Sequence, residues 1–353
     1  MTIFRPGREL AGDFYRQAVR PILDSAFPGL EHSAGLLGPG SEVLGYDTER
    51  STDHDWGLRL QLFVASEQDS GAIRATLAER LPQRFGGYST RPGTGLPGEV
   101  ELGAVEHLVE VHEPQAVFVA LLGFDPNRGV RLEDWLLTPS QLLLSVTAGA
   151  VFHDGLDVLR RAQEALGWYP QDVWLHLLAC QWRRIGQEEA FVGRSGEVGD
   201  DLGSRLLAGR LVRDLMRLCF LLERHHAPYG KWFGTAFREL QAAAELGPIL
   251  EQALQAADWR VRETELAAGC AAVARRQNAL GLTQPVDPAP RRFHGRPFNV
   301  LDAGRFAAAC REAIADPRVA RLGWLGSVDQ FADSTDLLSN VALIRRGGSA
   351  WLG

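Results

Sequence analysis

The stretch that decides the fold is residues 40–55, Gly-Ser-Glu-Val-Leu-Gly-Tyr-Asp-Thr-Glu-Arg-Ser-Thr-Asp-His-Asp. It opens on Gly40-Ser41 and closes, after eleven intervening residues, on Asp53-His54-Asp55. A Gly-Ser turn before a short helix offers backbone N–H groups and a hydroxyl to phosphate oxygens. Glycine also lets the backbone approach an anion closely. The pattern therefore predicts that Gly40 and Ser41 bind phosphate.

The two aspartates open a predicted strand over residues 53–64, in which apolar residues occupy most even positions. On a strand, side chains two residues apart project from the same face. Two carboxylates so close repel each other unless a divalent cation lies between them. Mg²⁺ takes oxygen ligands and leaves positions open for substrate phosphates. We therefore predict Asp53 and Asp55 as metal ligands and catalytic residues, with two Mg²⁺ ions.

This arrangement resembles the DNA-polymerase-β-like nucleotidyltransferase superfamily, whose pattern is Gly-Ser, about ten residues, and Asp-x-Asp on the next strand. The superfamily usually has an apolar residue between the aspartates, where this chain has His54. The longer run 45–57 is similar to a bacterial family of nucleotidyltransferase-like domains of unknown function. The likeness continues through residues 169–174 and 228–234, and so covers most of the chain. It implies a fold and a reaction class, with a nucleoside triphosphate, ATP by default, as co-substrate.

The superfamily usually supplies a third carboxylate from a neighbouring strand. Glu110 is the best candidate for this catalytic and metal-binding role, because Val109 and Val111 point to the opposite face. Glu101 and Glu113 compete with it. Asp47, between the two halves of the motif, is expected to serve turn geometry.

Further candidates lie in the second half of the chain. Lys231 is the single lysine among 37 basic residues, and it is flanked by aromatic residues. Lysine is a compact point charge, unlike the planar arginine fork, so Lys231 is predicted to bind the triphosphate near Asp53 and Asp55. Arg194, expected in a loop, and Arg296 are alternative phosphate ligands. Glu188 is the candidate general base. Related small-molecule nucleotidyltransferases resemble this two-part arrangement, and in them a carboxylate from the helical half acts as general base.

The fold class indicated is α+β, with a mixed sheet and helices followed by a mainly α-helical part. The resemblance makes residues 1–138 a nucleotidyltransferase domain and residues 139–353 a helical acceptor-binding domain. Strands are predicted at 32–37, 53–64 and 108–112. Helices are predicted at 8–26, 70–82, 115–123, 140–151, 156–166, 171–187, 202–226, 233–245, 248–257, 258–280 and 303–315.

Composition narrows the function classes. The net charge of −7 disfavours a nucleic-acid substrate. No apolar run is long enough for a membrane span, and residues 1–10 are polar and charged, so a cytoplasmic location is expected. The four cysteines form no C-x-x-C pair, which argues against zinc.

Two functional hypotheses remain open. The first is an Mg²⁺-dependent nucleotidyltransferase that moves a nucleoside monophosphate to a small-molecule or protein acceptor and releases pyrophosphate. The second is a catalytically silent module of the same fold, which senses nucleotide or binds a partner. The intact Asp-x-Asp favours the enzyme, because a binding-only module would be free to lose a carboxylate.

Overall fold

The structure, a computed structural model, describes residues 4–53, 56–91 and 107–352. The chain divides into two compact units. Unit 1 comprises Met1–Val130 and Leu142–Gly167, and unit 2 comprises Arg131–Gln141 and Trp168–Gly353. The division differs from a single boundary at 138/139, because residues 142–167 return to the first unit.

The main sheet lies in unit 1 and has four strands in the order β5-β2-β1-β6. The strands described in unit 1 are β1 His32–Leu36, β2 Leu60–Val64, β3 Arg84–Phe85, β4 Tyr88–Ser89, β5 Val109–His112 and β6 Ala150–Asp154. Strand β1 is antiparallel to both β2 and β6, whereas β2 and β5 are parallel. The short strands β3 and β4 form a separate hairpin.

Helices cover this sheet. They are α1 Gly7–Phe14, α2 Arg20–Ala26, α3 Ser41–Leu44, α4 Glu67–Arg80, α5 Pro114–Leu122, α7 Ser140–Thr147, which crosses the unit boundary, and α8 Leu159–Leu166. A π-helical turn, Tyr15–Val19, joins α1 to α2 directly before Pro21. Proline has no N–H to donate four residues back, which accounts for the altered turn within the predicted helix 8–26.

The core of unit 1 lies on one face of the sheet. Leu60, Leu62 and Val64 of β2 pack with Val109 and Val111 of β5, against apolar side chains from α1, α2 and α4. The period-2 pattern of residues 53–64 thus identified the core side of β2. Its other face is covered as well, since all five residues of β2 are buried. A central strand covered on both sides needs no polar face.

Three predicted elements were wrong in extent. The helix predicted at 233–245 is divided in the structure between two helices, Gly230–Phe237 and Ala243–Gln255. The strand predicted at 53–64 begins only at Leu60, and Asp53 instead ends a 3₁₀ helix, Glu49–Asp53. Gly57, with φ of 138°, interrupts the extended run. The helix predicted at 140–151 ends at Thr147, and β6 follows it, pairing with β1. Apolar periodicity alone could not separate a short strand from a helix end there.

Unit 2 is mainly helical. Its helices are α6 Leu132–Leu136, α9 Gln171–Glu188, α10 Phe191–Glu197, α11 Asp201–Leu222, α12 Gly230–Phe237, α13 Ala243–Gln255, α14 Trp259–Ala279, α15 Gly304–Glu312, α16 Pro317–Ala320, α17 Val328–Phe331, α18 Thr335–Leu338 and α19 Val341–Leu352. A two-stranded hairpin, β7 Arg291–Arg292 with β8 Asn299–Val300, interrupts them. The α+β class, with helices concentrated in the second half, is confirmed.

The long helix α9 forms the centre of unit 2. Trp174 and Trp182 are both almost fully buried along it. Each indole N–H is satisfied: Trp174 donates to the carbonyl of Leu221, and Trp182 donates to the side chain of Gln277. Because buried indoles need such partners, these bonds fix how α9 packs on α11 and α14. Among the described helices, none is both long and apolar enough to cross a membrane.

Candidate active site

Three strand ends lie side by side at one edge of the main sheet. Strand β1 is antiparallel to β2, and β5 is parallel to β2. The carboxyl end of β1 therefore lies at the same edge as the amino ends of β2 and β5. Gly35 pairs with Gln61, and Gln61 pairs with Glu110. The side chain of Gln61 also accepts the backbone N–H of Leu37 at 2.9 Å, which holds the turn after β1 against this edge.

The Gly40-Ser41 turn follows β1 at this edge, and Ser41 begins the short helix α3. Gly40 has φ of 142°, a conformation that favours glycine. Within the described part of the chain, the half-buried hydroxyl of Ser41 has no hydrogen-bond partner. The turn therefore leaves that hydroxyl available to a ligand, as the phosphate-binding prediction requires.

The geometry adds a structural reason for glycine at position 40 to the predicted approach of a phosphate. A Cβ on Gly40 would lie 2.5 and 2.6 Å from the two carboxylate oxygens of Glu42. A side chain there would have to displace a buried carboxylate as well as adopt positive φ. Gly40 is therefore required by the fold itself.

We expect Gly40→Ala to destabilise the protein by about 2 kcal/mol or more, because backbone strain adds to the displacement of Glu42. Ser41→Ala is the matched control, since it removes one hydroxyl with no partner and should change stability by less than about 0.5 kcal/mol. Urea unfolding followed by circular dichroism measures both. Equal stability of the Gly40 variant and the wild type would contradict the argument.

The two aspartates fall at the limit of the described residues. The backbone of Asp53 ends the 3₁₀ helix Glu49–Asp53, and β2 begins only at Leu60. Its side chain and all of Asp55 lie outside the described residues. Because Asp53 does not lie in a strand, its metal-binding role, like that of Asp55, stays a prediction from residue type and spacing.

Glu110 has the exposure that a ligand-binding carboxylate needs. Its side chain is 55% exposed, whereas its neighbours Val109 and Val111 are buried, which is the predicted alternation. The imidazole Nε2 of His112 lies 3.8 Å from its Oε2. Of its competitors, Glu113 precedes α5, and Glu101 lies outside the described residues.

Sequence reasoning missed an ion pair in the Gly40-Ser41 turn. Glu42 is only 2% exposed, and its Oε1 accepts a hydrogen bond from Nη1 of Arg59 at 2.5 Å. The same Nη1 donates to the carbonyl of Pro39 at 3.1 Å. Burial raises the pKa of Glu42, although the Arg59 guanidinium opposes that shift. The sequence signal available for the burial of Glu42 was its position directly before the apolar pair Val43-Leu44.

Asp47 braces the turn, and its role extends beyond the local geometry expected for it. Its Oδ2 accepts the backbone N–H of Gly7 at 2.7 Å and the indole N–H of Trp56 at 2.9 Å. The bond to Gly7 spans forty residues of the sequence, whereas the bond to Trp56 is local to the segment. Asp47 thus ties the start of α1 to the segment that carries the site motif.

The glutamate pair at the end of α9 has two distinct roles. Glu188 is 18% exposed and forms an ion pair with Arg210, 3.1 Å from Nε to Oε2. Glu189 is buried and accepts the backbone N–H groups of residues 301, 302 and 303 at 2.9, 3.2 and 2.9 Å. Burial raises the pKa of Glu189 to about 7, against the lowering effect of these three bonds. Glu189 is therefore a structural anchor, and Glu188 remains the candidate base.

The three predicted phosphate-binding cations are all exposed side chains of unit 2. Lys231 lies in α12, with Nζ 4.8 Å from the ring centre of Trp232. Arg194 lies within α10 and not in a loop, 5.4 Å from the ring of Phe191. Arg296 follows a 3₁₀ turn beside β7. Their part in triphosphate binding, and the position of Lys231 near Asp53 and Asp55, stay predictions.

Within the ranges 4–53, 56–91 and 107–352, no three His, Cys, Asp or Glu side chains gather as a metal site would require. The side chains of Asp53 and Asp55 do not belong to the described part of the chain.

Comparison with known proteins gives one match. Residues 135–233 match a protein family described as a domain of unknown function (DUF4037). The matched region contains Glu188, Arg194 and Lys231, as well as the segment 169–174 and residues 228–233. No curated protein and no solved structure matches the chain.

Proposed function

We propose that the protein is an Mg²⁺-dependent nucleotidyltransferase, which transfers a nucleoside monophosphate from a nucleoside triphosphate to a small-molecule or protein acceptor. The observation that carries the proposal is the sheet edge. The Gly40-Ser41 turn follows the carboxyl end of β1, Asp53 precedes β2 in the chain, and the exposed carboxylate of Glu110 lies near the amino end of β5. That set of groups suits phosphate and metal binding.

The roles follow from the chemistry of each group. The Ser41 hydroxyl would donate to an oxygen of the donor's phosphates, while the glycine before it permits close approach. Glu188 would accept the proton of the attacking acceptor group as general base. Lys231, Arg194 and Arg296 are the proposed triphosphate ligands from the helical unit, each offering charge-assisted bonds to phosphate oxygens.

Magnesium belongs to this proposal, with Asp53, Asp55 and Glu110 as its ligands. Glu110 offers a hard carboxylate oxygen at an exposed position, which a hydrated ion can reach. When bound, Mg²⁺ would neutralise charge that develops on the phosphate oxygens. The two aspartates are proposed as ligands because of their residue type and their spacing.

The acceptor is proposed to be small, or a protein side chain, because the net charge of −7 disfavours a polynucleotide. ATP is the default donor. The four cysteines are buried and unpaired, as in proteins of a reducing compartment, so the proposal includes a cytoplasmic location.

The direct test incubates the full chain with MgCl₂ and each of the four nucleoside triphosphates labelled at the α-phosphate. We expect label to pass to one acceptor class, the chain itself included, with stoichiometric release of pyrophosphate. Thermal unfolding in parallel identifies the donor, because a ligand at 100 times its Kd adds about 2.7 kcal/mol of stability. Nucleotide binding without any transfer would favour the sensor. The absence of both binding and transfer would refute the proposal.

A further inference from the structure

The buried pair of Glu42 and Arg59 is costly for a structure to keep. Glu42 is 2% exposed and Arg59 is 22% exposed, so both charges are largely removed from water. Buried ion pairs of this kind are often no more stabilising than apolar residues of similar volume. Burial raises the pKa of Glu42, which shows that the site disfavours the ionised carboxylate. Stability alone therefore gives a weak reason for a glutamate at this position.

The carboxylate occupies a position that suits an exogenous anion. It lies over Gly40, in space that a Cβ would fill, and it contacts the guanidinium of Arg59. Arg59 in turn reaches the carbonyl of Pro39, directly before the Gly40-Ser41 turn. Arginine binds carboxylate and phosphate through the same fork of N–H groups. A phosphate that reached this turn would meet a cation already neutralised by an internal anion.

We infer that Arg59 is a phosphate-binding residue of the site, and that Glu42 is a built-in competitor which the donor's phosphates must displace from it. The inference rests on the proposed function for the identity of the anion as a nucleoside triphosphate. The contact between Glu42 and Arg59 is then autoinhibitory: it lowers affinity for phosphate and holds Arg59 in place until substrate arrives.

The test measures binding of inorganic tripolyphosphate to the full chain by isothermal titration calorimetry, without divalent metal. Glu42→Gln removes the competing charge and keeps the side-chain volume, so affinity should rise about tenfold. Arg59→Gln removes the ligand and should lower affinity about tenfold. Glu49→Gln, an exposed glutamate of the same segment, makes the same change of net charge and should leave affinity within about twofold of wild type.

Equal affinity of the Glu42→Gln variant and the wild type, or an equal rise in Glu49→Gln, would overturn the inference. Should Glu42→Gln not fold, a crystal structure of the wild type with tripolyphosphate decides the question. A phosphate oxygen bonded to Arg59, with Glu42 moved away, supports the inference; tripolyphosphate bound elsewhere beside an intact pair refutes it. Tripolyphosphate binding without nucleotidyl transfer would refute the proposed function alone. Nucleotidyl transfer by a protein whose tripolyphosphate affinity does not change in Glu42→Gln would refute this inference alone.

Discussion

Replacement of Asp53 or Asp55 by asparagine is expected to lower Mg²⁺-dependent nucleotidyl transfer by about a thousandfold or more. That factor corresponds to about 4 kcal/mol of transition-state stabilisation. Asparagine keeps the shape of aspartate and one oxygen ligand but loses the negative charge that holds a divalent cation. The label-transfer assay measures the loss at saturating nucleotide and at several Mg²⁺ concentrations.

The fold should tolerate both substitutions. Two neighbouring carboxylates repel each other in the absence of metal, so removing one charge should leave the stability of the metal-free protein unchanged or slightly higher. Asp69→Asn is the matched control, because Asp69 is an exposed aspartate on α4 of the same unit. Near-wild-type turnover in either Asp53→Asn or Asp55→Asn would refute the metal-site assignment.

Adjacent glutamates at the end of α9 should respond in opposite ways to substitution. We expect Glu189→Ala to cost about 3–5 kcal/mol of unfolding free energy, because three backbone N–H groups, two of them in buried bonds, lose their acceptor. Glu188→Gln should cost less than about 1 kcal/mol, since its partner Arg210 is 48% exposed. If Glu188 is the general base, the same variant should lower kcat by about 10²–10⁴-fold.

The assay for stability is urea unfolding, and the assay for turnover is pyrophosphate release by the folded variants. A Glu189→Ala variant as stable as the wild type would show that the carboxylate does not anchor residues 301–303. Full turnover of Glu188→Gln would remove Glu188 from the catalytic roles while leaving the reaction class open.

Glu189 also predicts a dependence of stability on pH. Its pKa is about 7 in the folded protein, compared with an ordinary value of 4.5. A raised pKa means that the folded state holds the proton to higher pH than the unfolded chain does. The contribution of Glu189 is therefore fully present below pH 4.5 and is lost as pH rises through about 7. Unfolding of wild type and Glu189→Gln across pH 4.5–8 should show this loss in the wild type only.

The amino-acid sequence was sufficient for the elements whose signals are local. Strand β1, helices α4, α5 and α9, and the alternation around Glu110 follow from apolar periodicity and turn residues. Such signals work because a helix or strand with one buried face repeats its apolar residues at the period of that secondary structure. The site motif is equally local, since Gly40-Ser41 and Asp53-His54-Asp55 are recognised by residue type and spacing.

Only the tertiary structure decided which residues share an environment. Strand β6 joins β1 across more than a hundred residues, so the local pattern could not distinguish it from the end of a helix. Glu42 and Glu189 each look like ordinary glutamates in the sequence. Folding buries Glu42 against Arg59 and surrounds Glu189 with three backbone N–H groups. Burial and partners set the energy of a charged group, and both depend on chain segments far away in the sequence.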